Sequence, residues 1–421
     1  MVSKILDKLK NPAILYTLSS LIYSFSTYII VLLVPYKLNL DSMADFSASL
    51  NIVMMLSFVF EFGVVTSYLR YNQLYGVTKY INAYFQIAIF LLMFFISGSF
   101  LGRYIDNFFG AGNISLENYL VYLSSFAVLS WVFFKNIFLA NKKINMIFIN
   151  AVILTLVRIG FLTYILLSSE SFSMNDIYLY LFILPFVFII FFNLKYDFEA
   201  LKESFSFAKN SIDRKLFFKR SKQVVFFALT TYVISVLYVY TSRYAIIYLT
   251  KYDATKLIAE LGYATSFGGM IIVFSVSIRS YLISKFNISN TKEIKEYIVT
   301  MGSYKYKFIF GSLLFSALLA LMVYAIKPNY LTFDTVIFVF VLVQAYLSSA
   351  YLGMFSLLSK TFNFNNLELK LNLIRLALVI FWVHLLLLDY PIIGFIGLNL
   401  SMVLVEAFFA KIVLDRVDKK A

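Results

Sequence analysis

Apolar blocks of about twenty residues, separated by short charged connections, recur along almost the whole of this 421-residue chain. A helical block of that length spans the ~30 Å hydrocarbon core of a bilayer at ~1.5 Å per residue. Backbone in hydrocarbon must satisfy its own hydrogen bonds, and these blocks do not show the ten-residue alternation of barrel strands. The chain is 61% hydrophobic and 14% charged, against roughly 25% charged in soluble domains. It therefore reads as an all-α integral membrane protein. A ~19-residue hydropathy window places twelve spans at 13–35, 46–69, 82–104, 117–140, 145–167, 176–194, 223–249, 258–284, 303–326, 334–358, 367–388 and 391–413. The basic start, MVSKILDKLKN, precedes a full-length apolar run without a small-residue cleavage pattern, so the first span is expected to be retained.

A net charge of +14 would suggest nucleic acid in a soluble chain. Here the positions of the basic residues report topology. Twenty-seven of the 36 Lys and Arg fall at the termini and in the even-numbered connections, eight of them between Lys195 and Lys222. The odd-numbered connections hold Lys37, Arg103, Lys251, Lys256 and Lys327 alone. That bias puts both termini and the central connection in the cytoplasm. The expected organisation is an N-terminal six-helix lobe (1–200), a cytoplasmic basic linker (201–222) and a C-terminal six-helix lobe (223–421). No connection is long enough for a domain outside the membrane, so function must reside in the bundle.

The two halves echo one another. "LSSLIYS" (18–24) and "LTTYVIS" (229–235) match at an offset of 211, and "TSYL" (66–69) and "RSYL" (279–282) at 213. Six spans per unit imply parallel repeats, related by a pseudo-two-fold axis along the membrane normal. Tyr16, Ser20, Tyr23 and Thr27 share one face of the first span, and Thr231, Ser235, Tyr238 and Ser242 share the same face of the seventh. Such hydroxyl-rich faces serve either helix packing or the lining of a polar cavity.

Zero cysteines excludes disulfides, thiol catalysis and thiolate metal sites, and a lone histidine, His384, argues against an imidazole metal site or a His-centred triad. Ionisable groups inside spans are costly and mark function or pairing. In "VFEFGVVTSYLRY" (59–71), Glu61 and Arg70 are nine residues apart, about 13 Å of helical rise, so they cannot pair locally. Glu61, Glu406 and Arg158 lie deep; Lys135, Arg243, Arg279 and Arg375 lie nearer span ends, where snorkelling competes with an inward role. Glu61 reads either as half of a buried ion pair or as a carboxylate whose protonation or pairing changes with conformation. His384 reads as an interfacial side chain. Four arginines, Arg158, Arg243, Arg279 and Arg375, against Glu61 and Glu406 make the interior cationic, and guanidinium forks suit phosphate or carboxylate oxygens. Tyr240, Tyr244 and Tyr248 read as an interfacial belt or as rings for stacking on sugars, Pro185 and Gly268–Gly269 as kinks or flexible points, and "KLNLDSMADF" as a connector with an N-cap rather than an acidic catalytic pair.

Twelve spans in two halves, the basic central connection, and "FEFG" (60–63) followed by "YLRY" (68–71) resemble the polysaccharide flippases of the multidrug/oligosaccharidyl-lipid/polysaccharide superfamily, within it the O-antigen (Wzx-type) translocases. The resemblance implies a MATE-like fold and no enzymatic activity. It implies translocation of undecaprenyl-diphosphate-linked oligosaccharide units, of O-antigen or capsule type, from the cytoplasmic to the outer leaflet of the bacterial inner membrane by alternating access. By that resemblance Arg158, Arg243, Arg279 and Arg375 take the diphosphate, while Ser20, Tyr23, Thr27, Thr231, Ser235 and Tyr238 line the cavity. Glu61 and Glu406 serve coupling or charge pairing. No cofactor is expected beyond a proton or sodium counter-ion, and the implied partners are the lipid-linked oligosaccharide, the bilayer, a polysaccharide polymerase and a chain-length regulator. The alternatives are a drug or small-molecule exporter of the same superfamily and a membrane polysaccharide polymerase or glycosyltransferase. The short outer connections weigh against the enzyme.

Overall fold

A computed structural model describes residues 12–59, 118–140, 143–168, 172–196, 214–285, 291–356, 358 and 365–420, and no strand occurs among them. The expected span 82–104, the end of the span at 46–69 and Glu61 itself lie outside the described residues. Helix α1 (Pro12–Leu33) runs into a 3-10 turn at Val34–Lys37 and an extended Leu38. The Asn39 side chain then accepts the Ser42 N–H at 2.8 Å and caps α2 (Leu40–Val59). This cap starts α2 six residues before the expected edge at 46, and it puts Asp41 in the first turn, where a carboxylate complements the helix dipole.

Next come α3 (Asn118–Ala140) and α4 (Ile144–Leu167). A capping box between Ser173 and Asp176 opens α5 (Met174–Tyr178), which passes through a π-helical segment at Leu179–Ile183 into α6 (Leu184–Tyr196). Helix α7 (Arg214–Leu249) has 36 residues, about 54 Å of rise, well beyond the ~30 Å a bilayer core needs. The expected linker is thus helical from Arg214 onward and continuous with the seventh span. The remainder comprises α8 (Thr255–Lys285), α9 (Thr291–Ser303), α10 (Lys305–Ile326), α11 (Asp334–Ser356), α12 (Asn365–Trp382), a second π-helical segment at Val383–Leu387, and α13 (Pro391–Lys420). Among the described residues nine helical stretches are long and apolar enough to cross a membrane. Helices α3 and α8 stand where the expected spans 117–140 and 258–284 were placed.

The chain forms two compact units, one of Met1–Ser26 with Ser49–Arg243, the other of Thr27–Ala48 with Tyr244–Ala421. In the first, α3, α4, the π-helical segment and α6 pack around Ile147, Leu154, Tyr178, Phe182 and Phe186. In the second, α11 is central, with α8, α10 and α13 against it and α12 on α13. Helix α10 shows what a lipid solvent does to patterning. Its buried positions are Ser312, Ser316, Ala320 and Val323, while Phe310, Leu314, Leu318 and Leu321 are exposed. Small polar residues face inward, where Ser316 donates to Gln344 Oε1 at 3.0 Å and Gln344 Nε2 donates to Ser312 at 3.2 Å; the large apolar ones face hydrocarbon.

Gly268 and Gly269 both lie within α8, which is helical through the pair. Gly268 lets α8 approach α11: a Cβ there would collide with the Tyr346 ring and Leu342, whereas Gly269 faces open space. A Gly268→Val substitution should therefore destabilise the protein by about 1–3 kcal/mol through overpacking, and Gly269→Val should not. Unfolding of the two purified variants in detergent checks this, and equal stability would refute the packing role.

Candidate functional site

In the first unit the polar face of α1 turns towards its own neighbours. Ser20 accepts a hydrogen bond from Lys135 Nζ of α3 at 3.1 Å, and that ammonium also lies 4.8 Å from the centroid of the Tyr16 ring. Tyr23 stacks on Trp131 at 4.6 Å with the planes 9° apart. Thr155 of α4 donates to the Ile22 carbonyl at 3.3 Å, and Asn150 donates to Asn193 at 3.0 Å. Ser20 is buried, and Tyr23 and Thr27 are half-buried.

Arg158 sits on α4 at the centre of this arrangement and is 1% exposed. Its surroundings follow from Pro185. Proline has no N–H to give to the carbonyl four residues back, here that of Leu181, and this carbonyl accepts Arg158 Nε–H at 3.1 Å. The π-helical segment closes just before the proline, where Leu184 N–H bonds five residues back to the Leu179 carbonyl. A second guanidinium nitrogen of Arg158, Nη1, donates to Ser26 of α1 at 3.1 Å. The faces of Tyr23, Phe182 and Phe186 stand 5.1–5.5 Å from the guanidinium carbon, within cation–π range. One buried cation thus ties α1 and α4 to the bulged sixth span.

Arg243 lies near the end of α7 and donates to Asn51 Oδ1 of α2 at 2.7 Å. It is half-buried, so its charge is more accessible than that of Arg158. Ser235 is half-buried and Tyr238 is exposed on the same helix. The side chains of Thr231 and Arg279, like the whole of Glu61, lie outside the described residues.

In the second unit Arg375 of α12 and Glu406 of α13 form an ion pair, with Asn372 Oδ1 accepting a further hydrogen bond from Arg375 at 3.3 Å. Their side chains are 15% and 5% exposed, so desolvation makes each dependent on the other. His384 stands in the second π-helical segment, exposed, with Nε2 2.7 Å from the Tyr244 hydroxyl and the Tyr248 ring 4.1 Å away. Tyr244 and Tyr248 of the α7 stripe are therefore part of a cluster with the chain's one histidine.

Glu260 is a buried carboxylate that sequence reasoning passed over. It is 2% exposed, and its Oε1 accepts from the Thr332 hydroxyl at 2.6 Å and from the Thr332 N–H at 3.2 Å. Two residues before Thr332, Tyr330 donates to the Pro35 carbonyl at 2.8 Å, and burial pushes its hydroxyl pKa up, so it remains a donor at ordinary pH. The signal for Glu260 was its place in the first turn of the expected span 258–284. Its partners come from a connection some seventy residues away, which no local pattern reveals.

No family model and no curated protein matches the chain. Among solved structures it is similar to the lipid II flippase MurJ in an inward closed conformation, with a TM-score of 0.64 at 15% identity over 96% of this chain and 87% of that one. It is similar to an outward-facing multidrug resistance MATE family transporter of the MOP superfamily, with a TM-score of 0.59 at 13% identity over 97% of each chain. A Vibrio cholerae MATE transporter aligns with a TM-score of 0.54 at 12% identity over 98% of this chain and 97% of that one. The chain has the helical fold of these structures.

The link between Arg158 and Pro185 is measurable. Pro185→Ala supplies an N–H that competes for the Leu181 carbonyl, so Arg158→Met should cost less stability in the alanine background than in the native one. The coupling expected for residues sharing one acceptor is about 0.5–3 kcal/mol, read from denaturant unfolding of the two single variants and the double one. Strictly additive losses would separate the two residues.

Proposed function

We propose that this chain is a flippase that carries a polyprenyl-diphosphate-linked oligosaccharide, of the O-antigen or capsule type, from the cytoplasmic to the outer leaflet of the bacterial inner membrane. The observation that carries this reading is a charge imbalance inside the helices. Among the described residues four basic side chains, Lys135, Arg158, Arg243 and Arg375, are held there by hydrogen bonds or an ion pair, and two carboxylates, Glu260 and Glu406, are buried. A surplus of cation in low dielectric favours anionic cargo. A diphosphate supplies that charge, and the lipid tail keeps the carrier in the bilayer. Support also comes from a fold shared with a lipid II flippase.

Arg243 is the residue best placed to meet the diphosphate, since Asn51 orients its guanidinium without fully burying it. Arg158 is a positioning residue, enclosed by rings and carbonyl. The pair Arg375–Glu406 neutralises itself and organises the second unit. Movement follows alternating access, with Glu61 exchanging between a proton or sodium ion and an arginine. An enzyme is disfavoured by the connections between described helices on the expected outer side, which at 38–39, 168–173, 253–254, 327–333 and 388–390 are too short in sequence to fold into a catalytic domain. A second reading, a small-molecule exporter, is favoured by the likeness to MATE transporters over 97% of the chain.

The deciding experiment depletes the protein from cells and scores labelled undecaprenyl-diphosphate oligosaccharide by leaflet. Accumulation on the cytoplasmic side supports the flippase. Unpolymerised units on the outer side indicate a polymerase, and an unchanged distribution shifts the reading to an exporter. Arg243→Gln keeps a donor for Asn51 and removes the charge, and should slow flipping about tenfold or more, given the ~1.5–3 kcal/mol of a charged hydrogen bond. Unchanged flipping in that variant would remove Arg243 from the site. Glu61→Gln should make flipping insensitive to external pH and sodium; a native response would exclude the coupling role.

A further inference from the structure

Helix α9 is unlike the other helices. It is 13 residues long, about 20 Å, too short to cross a bilayer and amphipathic along its length. One face is pinned to the second unit. Tyr297 donates to the Met354 carbonyl at 3.0 Å, Tyr351 donates to the Met301 carbonyl at 2.8 Å, and Ile298 packs on the cluster of Leu358, Leu371, Phe409, Val413 and Val417. The opposite face carries Val299, 72% exposed, beside Glu296, Thr300 and Ser303. Its length and pattern are those of a helix at a membrane surface rather than through it.

At its end the chain turns at Tyr304 and enters α10 with the run Tyr304, Lys305, Tyr306, Lys307, every residue of it exposed. The side chains interleave: Lys305 Nζ stands 5.9 Å from the Tyr306 ring centroid and Lys307 Nζ 5.8 Å from that of Tyr304. Neither lysine meets a carboxylate among the described residues. Basic side chains in the first turn of a helix oppose its dipole, so α10 gains no stability from them. Tyr306 at 80% exposure and Phe310 at 73% continue the patch onto the hydrocarbon-facing side of α10. From Lys285 to Lys307 the sequence has five lysines against Glu293 and Glu296.

We propose that the junction of α9 and α10 is a docking site for the headgroup of an acidic phospholipid. The two ammonium groups meet its phosphate, the tyrosine rings lie at headgroup depth, and the exposed apolar side chains of α10 line its acyl chains. Charge complementarity selects this occupant: a lone acidic lipid offers both the anion the lysines lack and the hydrocarbon that Tyr306 and Phe310 face. The basic-residue bias assigns this end to the cytoplasmic leaflet. Bound lipid would brace α9 and the start of α10 against the second unit, whatever cargo the bundle carries.

The test titrates the purified full chain in neutral detergent with dioctanoyl-phosphatidylglycerol, dioctanoyl-phosphatidylcholine and inorganic phosphate, following binding by thermophoresis. Native protein should bind the glycerol lipid roughly tenfold tighter than the choline lipid, with the preference weakening as salt is raised. Phosphate alone should bind far more weakly. Lys305→Gln with Lys307→Gln should lose the preference while keeping the melting temperature seen in phosphatidylcholine; Lys305→Arg with Lys307→Arg should retain it. Equal binding of the two lipids by native protein, a salt-independent preference, or an unchanged preference in the glutamine variant would each overturn the proposal. Phosphate binding as tight as the lipid would make this an anion site and overturn it also. The lipid preference is read without transport, so its failure is distinct from failure of the flippase reading.

Discussion

In hydrocarbon a carbonyl without a donor has no water to turn to. Pro185 creates that situation at Leu181, and Arg158 resolves it. The solution determines much of the first unit. A guanidinium kept at 1% exposure needs acceptors for its donors and polarisable surroundings over which its charge is spread. Ser26 and the Leu181 carbonyl receive donors, and Tyr23, Phe182 and Phe186 present ring faces. Tyr23 is in turn held flat by Trp131. Remove the proline and the arginine has less to do; remove the arginine and the bulge has one donor fewer.

The second unit meets the same constraint differently. Its arginine, Arg375, is matched by a carboxylate on the neighbouring helix, and Glu260 is matched by a threonine that contributes both backbone and hydroxyl donors. Buried ion pairs contribute little net stability but penalise any state that separates them. Gln344 performs the equivalent function for α10 by bridging Ser312 and Ser316. Polar side chains here fix which helix face meets which neighbour, because apolar side chains are equally at home against lipid.

Span positions were legible because lipid imposes one length and one hydropathy on every crossing. The edges were less so: α2 begins at Leu40 because Asn39 caps it, and a hydropathy window weighs polar cap residues as loop. Gly268 read as a flexible point because glycine's helix cost is local, while the reason for keeping it, the Tyr346 ring on α11, is some eighty residues away. The candidate site was legible as a set of costly residues and not as a set of partners. Arg375 and Glu406 could both be named as charges inside expected spans, but rotation about each helix axis decides that they meet. Arg158 looked like an anion ligand, as a deep arginine does in sequence, since the vacancy at Leu181 is visible only once Pro185 is placed opposite α4.

That distinction bears on what the interior charge can do. A guanidinium surrounded by rings and a carbonyl remains a cation, because neutral partners orient charge without cancelling it. It contributes field at a distance even where it cannot touch cargo. Arg375 beside Glu406 contributes little such field, since the two charges nearly coincide. The useful surplus is therefore that of Lys135, Arg158 and Arg243 in the first unit, of which Arg243 retains access. On the proposed reading, such surroundings would disfavour a cationic drug and favour a diphosphate, which would meet a guanidinium oriented by Asn51. Selection by charge and positioning by neutral hydrogen bonds are thus separable properties of the same residues.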